Sequence, residues 1–154
     1  MKMKVMLDPG AKMPTRAHET DAGLDLYAPE DVWVPGCELR HIINLHNTEI
    51  KVGAATIDTG VHVEIPAGYV GMVKSKSGLN VKYGITSEGV IDAGYTGSIR
   101  VKLYNHSEKP MGIKKGQKIS QLVILPIITP ELELVGSLEE TARGGGGFGS
   151  TGAF

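Results

Sequence analysis

Val61, Val63 and Ile65 share one parity of a segment whose other parity holds His62 and Glu64. Ile99, Val101 and Leu103 repeat the pattern against Arg100, Lys102 and Tyr104. A period of two sustained over five or more residues belongs to a half-buried β-strand and is incompatible with a helix. Pro35-Gly36, Pro66-Ala67-Gly68, Gly94 to Gly97 and Lys115-Gly116 punctuate these runs as turns. With 21 glycines and 8 prolines, the chain is too rich in helix breakers for a bundle. The run Leu122 to Ile128 reads as a strand buried on both faces, with Pro126 at a bend or edge. A single short helix is expected near Gly78 to Tyr83. Several short, regularly spaced strands predict an all-β sandwich or barrel. There is no internal repeat.

At 154 residues the chain has the length of one domain, and 41% hydrophobic residues suffice to build its core. Sixteen Lys and Arg against seventeen Asp and Glu give a net charge of -1. That balance argues against nucleic acid or an anionic membrane surface as partner. No apolar run approaches the roughly 20 residues that span a bilayer. The opening Met1 to Asp8 lacks the apolar core of a secretory leader. The lone Cys37 permits no intrachain disulfide. A cytoplasmic protein is expected, in a host's cytoplasm if its source is viral.

Five segments carry side chains suited to chemistry. Asp21-Ala22-Gly23-Leu24-Asp25-Leu26-Tyr27-Ala28 holds two carboxylates of one parity, both expected to point out of the core. They read either as a solvated strand face or as a holder of hydrated Mg²⁺, an ion that keeps most of its waters. Ser75-Lys76-Ser77-Gly78-Leu79 opens the short helix; this is an ordinary N-cap or a phosphate site built from free N–H groups and a lysine. Gly89 to Gly97 reads as a hairpin with a tight turn bearing Asp92 and Tyr95. Asp92 is either a turn-former or a general base aimed at water. Gln121 lies between Ile119 and Leu122 at a surface-to-core transition. Last, Arg143 to Gly152, with Phe148 as its one large apolar side chain, cannot pack on its own and reads as a flexible tail or an anion cradle. It lacks the lysine before Ser/Thr that a P-loop requires.

In order and combination these segments, with Gly116-Gln117-Lys118-Ile119-Ser120-Gln121-Leu122 as the fourth, resemble the five motifs of the trimeric dUTPase family. The resemblance implies a jelly-roll β domain over residues 1–138 and a glycine-rich arm over 139–154 that closes over a neighbouring subunit's site. It also implies a homotrimer with sites between subunits, and hydrolysis of dUTP to dUMP and diphosphate by water attack on the α-phosphorus. By the same resemblance, Asp92 orients and deprotonates the water, and Tyr95 packs on deoxyribose where a 2′-OH has no room. Main-chain groups around Gly89 and Arg100 read uracil. Lys76, Ser77, Gly78 and Gln121 contact phosphates, and Asp25 holds Mg²⁺ through water. From the arm, Arg143 clamps phosphate, Phe148 covers uracil, and Gly149, Ser150 and Thr151 lie near the terminal phosphate.

The sequence departs from the family pattern in places. Lys76 stands where most members carry Arg, giving a point charge and not a planar fork. Thr86 replaces a frequent Asn, and Gln117 a common Asp. The tract of about residues 40–53 is longer than in relatives, with His41 to Glu49 able to form an extra hairpin. Its apolar Ile42, Ile43 and Leu45 make it either an added surface hairpin or a docking surface for a protein partner. Two other functions share the fold: a dUTP-binding regulatory protein, separable by diphosphate release, and a dCTP deaminase, separable by ammonia release.

Overall fold

In a computed structural model, residues 2–42 and 47–146 are described. Among the described residues, thirteen strands and one helix follow in order: β1 (Lys4–Leu7), β2 (Gly23–Tyr27), β3 (Val32–Val34), β4 (Glu38–Ile42), β5 (Asn47–Lys51), β6 (Gly53–Asp58), β7 (Val61–Glu64), β8 (Tyr69–Ser75), α1 (Ser77–Tyr83), β9 (Ile85–Thr86), β10 (Glu88–Ile91), β11 (Arg100–Asn105), β12 (Met111–Ile113) and β13 (Lys118–Pro126). Every strand pairing is antiparallel. One sheet runs β10-β8-β13-β2 and another β6-β11-β9. Three two-stranded pairs, β1-β7, β12-β3 and β4-β5, complete the framework. Leu26 and Leu122 from the first sheet meet Val101 and Leu103 from the second in one core cluster, all fully buried. Two sheets facing across a shared core make a sandwich, as the alternating pattern predicts. Among the described residues no helix is long and apolar enough to cross a membrane.

Several local expectations need correction. The helix begins at Ser77, but Lys76 is its N-cap residue and makes no side-chain cap bond. Ser75 instead accepts from the Ser87 N–H and donates to the Ser87 carbonyl. Strand β13 is not buried on both faces throughout. Leu122 is fully buried, yet Leu125 is 44% exposed, and Ile128, which lies beyond the strand's end at Pro126, is 90% exposed. The Gly89–Gly97 segment is not a β-hairpin: β10 pairs with β8, whereas β11 pairs with β6 and β9. Its tight turn is real. The Tyr95 N–H donates to the Asp92 carbonyl at 3.1 Å, and Gly94 takes φ 90°, which a side chain would resist. The segment therefore carries the chain from one sheet to the other.

The tract after Cys37 does form a hairpin, with Leu39 opposite Ile50 and Ile42 opposite Asn47. Ile43 and Leu45 lie outside the described residues. Beyond β13, residues 127–146 add no helix or strand. Leu132, Leu134 and Leu138 of this stretch are at least 86% exposed.

Candidate active site

Strand β13 lies between β2 and β8, and this placement assembles the first cluster. Gln121 is the register partner of Asp25 on one side and of Lys74 on the other. Its side-chain amide donates to the Ser75 carbonyl at 3.1 Å. The amide lies across the α-carbon of Gly23: a Cβ there would fall 2.1 Å from Gln121 Oε1 and 3.1 Å from its Cβ. Glycine at 23 is thus what lets the glutamine enter the cleft. The cleft, about 280 Å³, is lined by Asp21, Gly23, Asp25, Lys76 and Gln121 among others.

Asp25 does not point out to solvent as its parity suggested; it is 3% exposed. Lys76 Nζ sits 2.6 Å from its Oδ1 and Lys118 Nζ 2.6 Å from its Oδ2. Burial by itself would push this carboxyl up, but the donated bonds and charges of Lys118 and Lys76 outweigh it and hold the group below its ordinary value. The same contact raises Lys118. Ser77 and Gly78 follow on the exposed first turn of α1. Asp21 is engaged locally, accepting from the His18 N–H at 2.9 Å.

Asp92 and Tyr95 form the second cluster, on the turn after β10. Ile91 is buried beneath them while both are exposed. The Tyr95 hydroxyl donates to the Ser98 carbonyl at 3.0 Å, folding the ring over Gly97. A Cβ at Gly97 would fall 2.4 Å from the phenol oxygen, so this glycine sets the ring's position. Gly89 lies within β10. Arg100 opens β11 with its side chain 71% exposed and directed to Asp58 at 3.4 Å.

The two clusters stand at opposite ends of one strand. Ile91 pairs with Gly71, near the start of β8, whereas Lys76 follows its last residue, Ser75. Five residues of extended chain separate them, roughly 16 Å at ~3.3 Å per residue. Within one protomer, Asp92 is therefore not brought to the Asp25–Lys76–Gln121 cleft. Arg143 is exposed and its Nε donates to the Gly146 carbonyl at 3.0 Å. Phe148, Gly149, Ser150 and Thr151 lie outside the described residues.

The family model for dUTPase matches residues 10–152. The chain belongs to the dUTPase family. It is 42% identical over 156 residues to the deoxyuridine 5'-triphosphate nucleotidohydrolase of Clostridium tetani, covering 99% of this chain and 96% of that one. Among solved structures it resembles the dUTPase of Staphylococcus bacteriophage 80alpha with dUPNHPP, at TM-score 0.81 and 34% identity over 98% of both chains. A variant dUTPase from phage phi11 of S. aureus, described as coordinating a structural Mg(II) ion, matches at TM-score 0.74 and 32% identity over 91% of this chain and all of that one. The jelly-roll β fold that the resemblance implied is the fold of this family.

Two members of these clusters escaped the reading of the sequence. Lys118 belongs beside Asp25, yet strict alternation would pair it with the buried Ser120 and Leu122. A register shift between Lys118 and Ser120 breaks that parity. Gly97 gave no signal beyond turn propensity. Conversely, the Asp21–Asp25 spacing implied equivalent carboxylates, and only Asp25 is buried.

Gly23 yields a direct expectation. Gly23→Ala must displace the Gln121 amide and, if that amide contacts phosphate as the resemblance implies, should lower kcat/KM by about 10-fold or more. Gln121→Ala should produce a similar loss, and the two changes combined little more than either alone, as measured in a double-mutant cycle.

Proposed function

We propose that this chain is a dUTP diphosphatase whose active sites are completed only between subunits. The match to the dUTPase family over residues 10–152 carries the activity, since that span includes all five site segments. The separation of Asp92 from Lys76 along β8 supports the assembly: one α-phosphate cannot sit at both ends of that strand. Another copy's cleft must face the Asp92 turn. The homotrimer is the assembly we assign, and the exposed Ile128, Leu132, Leu134 and Leu138 supply apolar surface for contact between copies. The domain proper is taken as residues 1–138 and the arm as 139–154.

Asp92, on a turn fixed by the Tyr95 N–H, orients the water and accepts its proton as it attacks the α-phosphorus. The Tyr95 ring, held by Ser98 and Gly97, packs on the sugar and leaves no space for a 2′-OH. Main-chain groups of β10 at Gly89 and of β11 at Arg100 border the uracil. The amino group of Lys76, the N–H groups at Ser77 and Gly78 and the Gln121 amide take the phosphates. Arg143, Phe148, Gly149, Ser150 and Thr151 of the arm close over phosphate and base, excluding bulk water.

Asp25 is the residue we assign to magnesium. Among the described residues no group of three or more His, Cys, Asp or Glu could hold a metal, and both Asp25 oxygens already accept from lysines. This donor set does not suit a resident ion. It fits one carried in on the triphosphate and met through a water once Lys76 turns to the phosphates. Bound magnesium would draw charge from the phosphate oxygens. A cytoplasmic location fits the single Cys37.

The deciding experiment compares diphosphate release from dUTP, dTTP, dCTP and UTP, with magnesium and after chelation. Cleavage confined to dUTP and reduced by chelation is expected. Absence of diphosphate from dUTP overturns the reading, and ammonia from dCTP replaces it with deamination.

A further inference from the structure

Strand β7 reaches the turn that bears Asp92 and Tyr95 through the side chain of His62. His62 Nδ1 lies 2.8 Å from the Thr96 carbonyl oxygen, and Nε2 lies 3.2 Å from Asp8 Oδ2. A carbonyl and an ionised carboxylate can only accept. A neutral imidazole has one N–H and satisfies one of them; the imidazolium satisfies both. With its side chain 18% exposed, the ring is largely enclosed between these partners.

The charged neighbours are accounted for on each side. On β7 itself, Glu64 is paired with Lys4 of β1 at 3.0 Å. Asp8 follows β1, and its own N–H donates to the Gly60 carbonyl at 2.8 Å, which fixes it beside the ring. At the end of β6, Asp58 accepts from the Ser98 hydroxyl and the Gly60 N–H and faces Arg100 of β11. The Thr96 carbonyl first, then Asp8, raise the affinity of His62 for its second proton.

The remaining ties to this loop act further along it. The Thr59 hydroxyl donates to the Ile99 carbonyl at 2.7 Å, and the Ile99 N–H donates to the Val61 carbonyl at 2.8 Å. Among the described residues, His62 makes the anchor from outside the loop that lies nearest in sequence to Tyr95.

We propose that His62 is a positioning residue: its doubly protonated ring ties Thr96 to Asp8, fixes the Tyr95 ring against the sugar, and so makes discrimination between deoxyribose and ribose depend on that proton. The proposal rests on the role given above to Tyr95. Its sign is set by geometry. With the ring protonated both bonds are present. As pH rises through the ring's ionisation one is lost, and the loop gains freedom to admit a 2′-OH.

The test measures kcat/KM for dUTP and for UTP from about pH 5.5 to 9, on either side of the histidine range. Effects on Asp92 act on both substrates and cancel in their ratio. In the unmodified enzyme the dUTP/UTP ratio should fall about 10-fold across the ionisation of His62, the worth of one charge-assisted hydrogen bond. His62→Gln, with one amide donor at every pH, should give a low and flat ratio. Asp8→Asn, whose amide donates to the neutral ring as readily as it accepts from the charged one, should keep both ties at every pH and give a high and flat ratio. NMR titration of the His62 ring should show the same midpoint and shift the Thr96 and Tyr95 amide signals. A ratio that stays constant with pH while dUTP is still cleaved overturns the proposal, as does an unchanged fall in His62→Gln. Failure to cleave dUTP at any pH overturns the functional reading instead. In that event, amide signals that ignore the titration of His62 still overturn this one.

Discussion

Asp92→Asn is expected to reduce kcat for dUTP by about 10²–10⁴-fold, the usual worth of a positioned general base. Binding of a non-hydrolysable dUTP analogue should persist. The two outcomes separate because Asp92 is tied to the protein by its backbone, through the carbonyl that accepts from the Tyr95 N–H. The buried Ile91 on one side and Gly94 on the other hold the turn in place. Asparagine has the same size and preserves that turn, so it removes basicity and little else. Steady-state kinetics and an equilibrium titration with the analogue check both halves. A variant that turns over at the unmodified rate would remove Asp92 from the chemistry.

Removal of residues 139–154 should cost about 10²-fold or more in kcat through lost closure and positioning, with little change in thermal stability. Stability is expected to survive because the last strand ends at Pro126 and residues 139–145 are exposed in the protomer. The proposed action of the arm on a neighbour gives a sharper result. Truncated chains and full-length Asp92→Asn chains should each be nearly inactive as pure assemblies, yet mixed assemblies should regain activity. In them, an intact arm from one chain closes over an intact Asp92 from another. Mixtures no more active than their components would place the arm over its own chain's carboxylate.

Much of this architecture was legible from local pattern. The alternation of Ile99, Val101 and Leu103 against charged partners foretold a strand with one buried face, and Val101 and Leu103 are fully buried in β11. The extra hairpin after Cys37 and the short helix were similarly local matters. What escaped depended on contacts between distant segments. Asp25 looked like a solvent-facing carboxylate because parity cannot report that Lys76 and Lys118, 51 and 93 positions away in sequence, converge on it. Gly89 to Gly97 looked like a hairpin because a tight turn between apolar runs has the same signature whether its limbs pair together or join different sheets. Pairing is decided by β8 and β6, which no window around Asp92 contains.

The carboxylate wedged between two ammonium groups also bears on what the enzyme ignores. An incoming anion must outcompete a built-in counter-ion already seated at 2.6 Å from each lysine. Chloride or a lone orthophosphate reaches fewer of these groups at once than a longer anion does. A triphosphate chain that reached Lys76, the helix start and Gln121 together, as proposed, would replace the displaced pairing with several contacts. On the roles proposed above for Lys76 and Gln121, Asp25 would act as a threshold that favours long polyanions over the small ones that surround the vacant enzyme.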